Sequence, residues 1–309
     1  MKKSALNRMV DIHFEIPTDW KNGVPFDQNP YPSVLVDITS RCNMRCKFCY
    51  YPEQDQADIS LERFRHLCGA LPFPVLMKLA GGEPTLHPQL PEIIQIAVEH
   101  KHRIYVCSNG MKYRDPDFME SLQPLKKLPA GFGLGLSMDG GTENAKAYEL
   151  ITGRDCLNDK LEAFQALAQN SHSKVSLTAI IVRGLNEDVI PQLVDLAKNN
   201  PDTVGYLHFR NAGKVGAFVD TEPYSLEEIK ALTQPYFSEE EFAQACLGEV
   251  HCPPGNGRTC CYRFRPNRRL QISLIEFVSD RAANCPKRGR VVLGEDRIFP
   301  LFHSIRNEI

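Results

Sequence analysis

The chain has 309 residues, 42% of them hydrophobic and 24% charged, with a formal net charge of −2. That is ordinary globular composition, enough for one large domain plus an appendage. No run is long and apolar enough to span a bilayer, and the first 17 residues carry lysines but no signal-length apolar stretch, so a soluble cytoplasmic protein with no membrane partner is expected. Eleven cysteines would suit a disulfide framework only in a short secreted chain. Their clustering points instead to metal binding in a reducing compartment.

In chain order, the first strand-like run is residues 33–40. It ends at Cys42-Asn-Met-Arg-Cys46-Lys-Phe-Cys49, a CxxxCxxC triplet. Thiolates are soft ligands suited to zinc or iron–sulfur clusters. Structural zinc sites normally close with four protein ligands, often as CxxC pairs. This loop offers three thiols and no nearby histidine. A four-iron cluster held by three thiolates keeps one iron open to a small molecule, which would make the loop catalytic. Core-filling cysteines and a zinc knuckle completed by a distant cysteine are the plainer alternatives.

Leu61, Phe64, Leu67, Cys68 and Leu71 then share one helical face, with Ser60 placed as its cap. Residues 75–80 are strand-like and end at Gly81-Gly82-Glu83-Pro84; Leu90, Ile93, Ile94, Ala97 and Val98 mark the next helix. A strand over 103–107 ends at Ser108-Asn109-Gly110, and Phe118, Leu122 and Leu125 suggest a short helix. The run 131–138 ends at Asp139-Gly140-Gly141. A helical stripe follows at Leu157, Leu161, Phe164 and Leu167. A β-branched strand covers 175–182, Val189, Leu193 and Leu196 lie on a helix, and 204–209 is the sixth strand. Six such repeats argue for parallel strands with helical crossovers. The expected fold is α/β, a partial (β/α)6 TIM-like barrel, in which chemistry gathers at the C-terminal strand ends. Beyond Thr221, two capping-box patterns, Ser225 to Glu228 and Ser238 to Glu241, predict helices. Strand-like runs at 270–278 and 290–301 follow. The expected division is an N-terminal extension (1–32), a core (33–221) and a small cysteine-containing appendage (222–309).

These residues resemble the radical S-adenosylmethionine enzymes over about 33–212. The cysteine triplet looks like their cluster loop, with aromatic Phe48 before its last cysteine. Gly81-Gly82-Glu83-Pro84 looks like their GGE motif at the end of the second strand. The resemblance implies a [4Fe-4S] cluster on Cys42, Cys46 and Cys49 that binds S-adenosylmethionine. It implies that Gly81, Gly82 and Glu83 meet the cofactor's amino group, a charge-assisted pairing. Ser108 and Asn109, then Ser137 and Asp139, match polar strand-end contacts. Arg154 would face the cofactor carboxylate, Asn186 the ribose and Phe48 the adenine; each polar residue has a cap or turn as its alternative. The implied reaction is one-electron cleavage of S-adenosylmethionine to a 5′-deoxyadenosyl radical, which abstracts a substrate hydrogen.

Cys246, Cys252, Cys260, Cys261 and Cys285 form a second group. SPASM or twitch members of the family carry an auxiliary cluster there, although the full SPASM pattern is absent. The resemblance implies one auxiliary [4Fe-4S] cluster on Cys252, Cys260 and Cys285, with Cys246 or Cys261 as further candidates. Neighbouring Cys260 and Cys261 cannot easily ligate one cluster alike, so Cys261 is the candidate hydrogen-atom donor, which would give epimerisation; both being structural is the alternative. Cys68, Cys107 and Cys156 are expected to be packing or loop residues, and His87 a satisfied one. Between Arg258 and Arg290 there are nine Lys/Arg against two acids. That basic stretch would suit an anionic substrate or nucleic acid, or be a solvated face. The favoured function modifies a small molecule or natural-product intermediate, with flavodoxin or ferredoxin as electron donor. A peptide maturase is disfavoured because only about 30 residues precede the first strand. An RNA-modifying enzyme and a non-enzymatic zinc module are the remaining alternatives.

Overall fold

Period-two alternation decides which face of each strand is buried against helices and which looks inward. On the first long strand Val34, Val36 and Ile38 are fully buried, while Ser33 and Leu35 line an interior cavity. The computed structural model describes residues 22–49, 56–128, 132–170, 174–213, 220–243, 250–251, 259–277 and 288–301.

Its strands are β1 (Val24–Pro25), β2 (Ser33–Thr39), β3 (Leu76–Gly81), β4 (Arg103–Val106), β5 (Phe132–Ser137) and β6 (Val175–Ile181). They continue with β7 (Val204–Asn211), β8 (Val250–His251), β9 (Thr259–Phe264), β10 (Gln271–Ile275), β11 (Arg288–Val291) and β12 (Arg297–Pro300). All belong to one open sheet in the order β1-β12-β11-β2-β3-β4-β5-β6-β7-β10-β9-β8. Strands β2 to β7 are parallel neighbours in chain order, the six expected βα units. The described C-terminal strands extend this sheet at both edges. β11 runs parallel to β2, and β10 runs parallel to β7. The outermost strands β12, β1, β9 and β8 pair antiparallel.

The helices cover the outer faces. Helix Leu61–Ala70 starts where Ser60 Oγ accepts the Arg63 N–H, and it buries Phe64, Leu67 and Cys68. Helix Leu90–Glu99 buries Leu90, Ile93, Ile94 and Ala97, and Val189–Asn199 buries Val189, Ile190, Leu193, Val194 and Ala197. Each such side chain contributes about 1.5–3 kcal/mol when removed from water. The short helix around Phe118 is Pro116–Ser121, continued by a 3-10 turn at Gln123–Lys127. Helix Ala145–Thr152 was not expected. Asn144 caps it by accepting the Ala147 N–H, and Gly153 ends it at φ +87°.

Ser225 and Glu228 form a complete capping box on helix Leu226–Thr233, and Ser238 and Glu241 bond reciprocally at helix Glu239–Ala243. Phe237, Phe242, Tyr262 and Phe264 interlock with ring centroids 4.8–5.8 Å apart, fastening these helices to β9. Among the described residues no helix is long and apolar enough to cross a membrane.

Candidate active site

The parallel strand ends enclose a cavity of about 370 Å³. Cys42, Cys46 and Cys49 all line it from the loop after β2. The loop is anchored by backbone bonds from Lys47 N–H to Ile151 O and from Cys49 N–H to Cys46 O. Met44 is buried beside Tyr148 and Cys156, with Cys42 and Cys46 against them. Burial pushes the Cys42 and Cys46 thiols up, and the neighbouring loop thiols add to it. They ionise near neutral pH only with a bound cation.

Among the described residues, no three His, Cys, Asp or Glu side chains close to single-ion distances. A zinc ion with Zn–S near 2.3 Å draws its sulfurs to about 4 Å of one another. The donor set, three soft thiols on one cavity wall, fits an iron–sulfur cluster.

Beside this loop the end of β3 passes so close that only glycine fits. A Cβ on Gly81, which sits at φ +113°, would lie 2.2 Å from Thr39 O, and one on Gly82 would lie 2.2 Å from Arg41 O. The approach is held by Gly82 N–H to Thr39 O at 2.7 Å and Glu83 N–H to Arg41 O at 2.6 Å. The Gly-Gly pair thus presses the GGE segment against the base of the cysteine loop.

Glu83 is 1% exposed. Its Oε1 accepts from Thr85 N–H, Thr85 Oγ1 and Ser108 Oγ, and its Oε2 from Asn109 N–H at 2.7 Å. Burial raises its carboxyl pKa, and these donors pull it back toward the anion. Ser108 Oγ also accepts the Gly110 N–H, while Asn109 reaches across to Asn43 of the cysteine loop at 2.7 Å. The carboxylate thus ties the end of β3 to the end of β4, and Asn109 carries the link on to the loop; Glu83, Ser108 and Asn109 all line the cavity.

Ser137 and Asp139 reach the cavity wall from β5. Asp139 is used as a strut: Oδ1 accepts the Ile180 N–H, and burial raises its pKa. Phe48 lines the cavity and packs against Ala147, Ile151, Ile180 and Val182.

Two expected contacts are not brought to the cavity. Arg154 is half-exposed and pairs with Asp159 at 3.0 Å. Asn186 is fully buried; its Nδ2 donates to Asp139 O and Ile180 O, and its Oδ1 accepts the Val182 N–H. All its amide groups are consumed in fastening β5 to β6. His87 is also a buried strut, with Nδ1 accepting the Gln89 N–H and Nε2 3.0 Å from Ile59 O. Cys261 is buried and lines the cavity from β9. Cys246, Cys252 and Cys285, and the side chain of Cys260, lie outside the described residues.

Lys78, His208 and Arg210 also line the cavity and were not singled out from the sequence. Cys107, expected to be packing, lines the wall just after β4, and Arg288, from the basic stretch, lines it from β11. Behind the wall, fully buried Lys160 donates to Asn109 O at 2.5 Å and Ser137 Oγ at 3.3 Å. A lysine on the apolar stripe of Phe164 and Leu167 was the available signal.

The family profile described as Radical SAM superfamily matches residues 36–197, just over half of the chain. The chain is 25% identical over 252 residues to the 7,8-dihydro-6-hydroxymethylpterin dimethyltransferase of Methanocaldococcus jannaschii, across 73% of this chain and 48% of that protein. It is 30% identical over 205 residues to the GTP 3′,8-cyclase of Stenotrophomonas maltophilia, across 61% of this chain and 58% of that one. Its fold is similar to Streptococcus suis SuiB bound to precursor peptide SuiA, with TM-score 0.56 and 14% identity over 74% of this chain and 55% of the other. The chain spans about half the length of the curated relatives it matches.

Proposed function

The chain belongs to the radical SAM superfamily, and from that premise we infer that it modifies a small molecule or natural-product intermediate by hydrogen abstraction. The observation that supports this reading is the contact between the glycine pair and the cysteine loop, which brings Cys42, Cys46, Cys49, Gly81, Gly82 and Glu83 onto one cavity.

When bound, a [4Fe-4S] cluster and S-adenosylmethionine supply one-electron cleavage of a carbon–sulfur bond and a 5′-deoxyadenosyl radical. Cys42, Cys46 and Cys49 hold the cluster. Gly81 and Gly82 offer close-approach backbone, and Glu83 offers a buried anion to the cofactor's ammonium. Ser108, Asn109, Ser137 and Asp139 line the same wall, and Phe48 gives an apolar face for the adenine. The relatives' names, a pterin methyltransferase and a GTP cyclase, favour a small heterocyclic substrate. An auxiliary cluster on Cys252, Cys260 and Cys285, with Cys246, belongs to this reading, as does an external donor such as flavodoxin or ferredoxin.

Cys261 is the hydrogen donor in an epimerising version of the reaction. It gives a hydrogen atom to the substrate radical, and the thiyl left behind takes one electron from the external donor and a proton from solvent.

Anaerobic reconstitution followed by strong reductant tests the core of this function. The expected result is 5′-deoxyadenosine from S-adenosylmethionine, abolished together with iron loading in Cys42→Ala, Cys46→Ala and Cys49→Ala. Zinc without iron or sulfide in the anaerobic protein would overturn it.

A further inference from the structure

One lysine stands where the period of its helix places an apolar residue. Helix Leu157–Asn170 turns Lys160, Ala163, Phe164 and Leu167 to the interior, and Lys160 is fully buried. An ammonium withdrawn from water is costly to keep unless its charge is answered.

The contacts of Lys160 fix it in place. Nζ donates to Asn109 O at 2.5 Å and to Ser137 Oγ at 3.3 Å, and it lies 5.8 Å from the centre of the Tyr148 ring. All three partners are uncharged. The carboxylate that shares its field is Asp139, whose Oδ1 accepts the Ile180 N–H and which Arg210 attracts as well.

Two routes lead from this ammonium to the cysteine loop. Asn109 gives its N–H to Glu83 and its side-chain amide to Asn43, which follows Cys42. The Tyr148 ring belongs to one packed group with Met44 and Cys156, and Cys42 and Cys46 lie against that group. Cys46 is close enough to feel Asp139 and Lys160 with opposite sign. Three thiolates make the iron–sulfur group they hold anionic, and one-electron reduction adds a further negative charge. Net charge is one of the levers that set the potential of such a group.

We propose that Lys160 is the fixed counter-charge of the cysteine loop, acting through Cys46 to favour one-electron reduction of a cluster held by Cys42, Cys46 and Cys49. This deepens the function inferred above and rests on its reading of the three thiols. It requires no net positive wall, because removing the ammonium leaves the surroundings of the loop one unit more negative whatever the other charges are. At an effective dielectric of about 20, a unit charge shifts a one-electron equilibrium tenfold from as far as about 12 Å. Lys160 stands 5.8 Å from a ring that packs on the loop, within that reach.

The test is a redox titration of the anaerobically reconstituted enzyme without S-adenosylmethionine, followed by the electron paramagnetic resonance signal of the reduced cluster. Lys160→Gln keeps a hydrogen-bonding side chain and loses the charge, whereas Lys160→Arg keeps the charge. At the wild-type midpoint the ratio of reduced to oxidised cluster should fall about tenfold or more in Lys160→Gln and Lys160→Met, a shift of about 59 mV or more to lower potential, and stay within about threefold in Lys160→Arg. The charge is buried, so the shift should persist at high salt. The same fall is expected when Lys160→Met is made in Asp139→Asn, where no carboxyl at residue 139 is left to offset it by taking up a proton. Exposed Arg268→Gln is the control and should not move the midpoint. Iron content and thermal midpoint verify that each variant is loaded and folded. A merely structural lysine would change those two quantities and leave the potential of the loaded fraction where it was. That result, or an equal shift in Lys160→Arg and Lys160→Gln, would overturn the proposal. A wild-type protein with no reducible iron–sulfur signal overturns the reading of the three thiols itself, and the proposal with it.

Discussion

Substituting Gly82 by alanine gives the sharpest test of how the two motifs meet. The added Cβ would sit 2.2 Å from Arg41 O, 2.7 Å from Arg41 C and 2.8 Å from Ser40 O. All three are backbone atoms, so no side chain can swing aside. Relief requires the GGE segment and the loop base to part by roughly 1 Å. That movement breaks the Gly82-to-Thr39 and Glu83-to-Arg41 hydrogen bonds, worth about 1 kcal/mol each, and adds overpacking strain of about 1–3 kcal/mol. The expected loss is about 3–5 kcal/mol, a fall in thermal midpoint of about 5–8 °C for a chain of this size. Iron loading and S-adenosylmethionine affinity should fall together. Gly184→Ala is the control: its φ is +73° but nothing lies within 4 Å of the new Cβ, so it should cost only about 1 kcal/mol and leave iron loading intact. If Gly82→Ala loads wild-type iron and melts within about 2 °C of the parent, the contact is not what aligns the motifs.

Glu83→Gln replaces one carboxylate oxygen by an NH2 group that must face a donor, so it should destabilise by about 2–4 kcal/mol. Equilibrium dialysis should show S-adenosylmethionine affinity reduced at least tenfold with iron content retained; unchanged affinity would leave Glu83 a strut and nothing more. Lys160→Met keeps the volume but strips Asn109 O of its buried donor and Asp139 of a nearby cation. A loss of about 2–4 kcal/mol in urea unfolding is expected, and a loss below about 0.5 kcal/mol would show the ammonium to be dispensable. His208 ordinarily titrates at 6.5 but only at about 3 in the fold. Below pH 6.5 the unfolded chain therefore binds a proton the folded chain does not. The contribution is complete above pH 6.5 and lost as pH falls toward 3, amounting to about 2 kcal/mol between pH 7.5 and 5.0. His208→Gln should flatten the pH dependence of unfolding by that amount, and parallel profiles would refute the depressed value.

The βα rhythm was legible because the short apolar or β-branched runs of β2, β3 and β6 and the helical stripes are local patterns. The cysteine triplet and the Gly-Gly-Glu segment were legible because chemistry and close approach restrict which residues serve there. Helix Ala145–Thr152 escaped because its buried face, Ala147, Tyr148 and Ile151, is short and only mildly apolar. Polar strand-end residues were ambiguous in principle. Asp139 and Asn186 spend their hydrogen bonds on backbone groups of neighbouring strands, and a sequence does not distinguish a strut from a ligand contact. The cavity position of Arg288 was hidden for another reason. The basic stretch was visible, but Arg288 acquires its place only through pairing with a strand about 250 residues earlier.

That pairing has a consequence for biosynthesis. Asp37 leaves the ribosome long before its guanidinium partner, 253 residues later. At about 5–20 residues per second, β2 waits about 13–50 s with one edge bare and a buried-to-be carboxylate still in water. The β2 side of the cavity is therefore open during translation until β11 pairs with it. Slowing synthesis near the C-terminus should lengthen that window, and hastening it should shorten the time in which the edge of β2 stays bare.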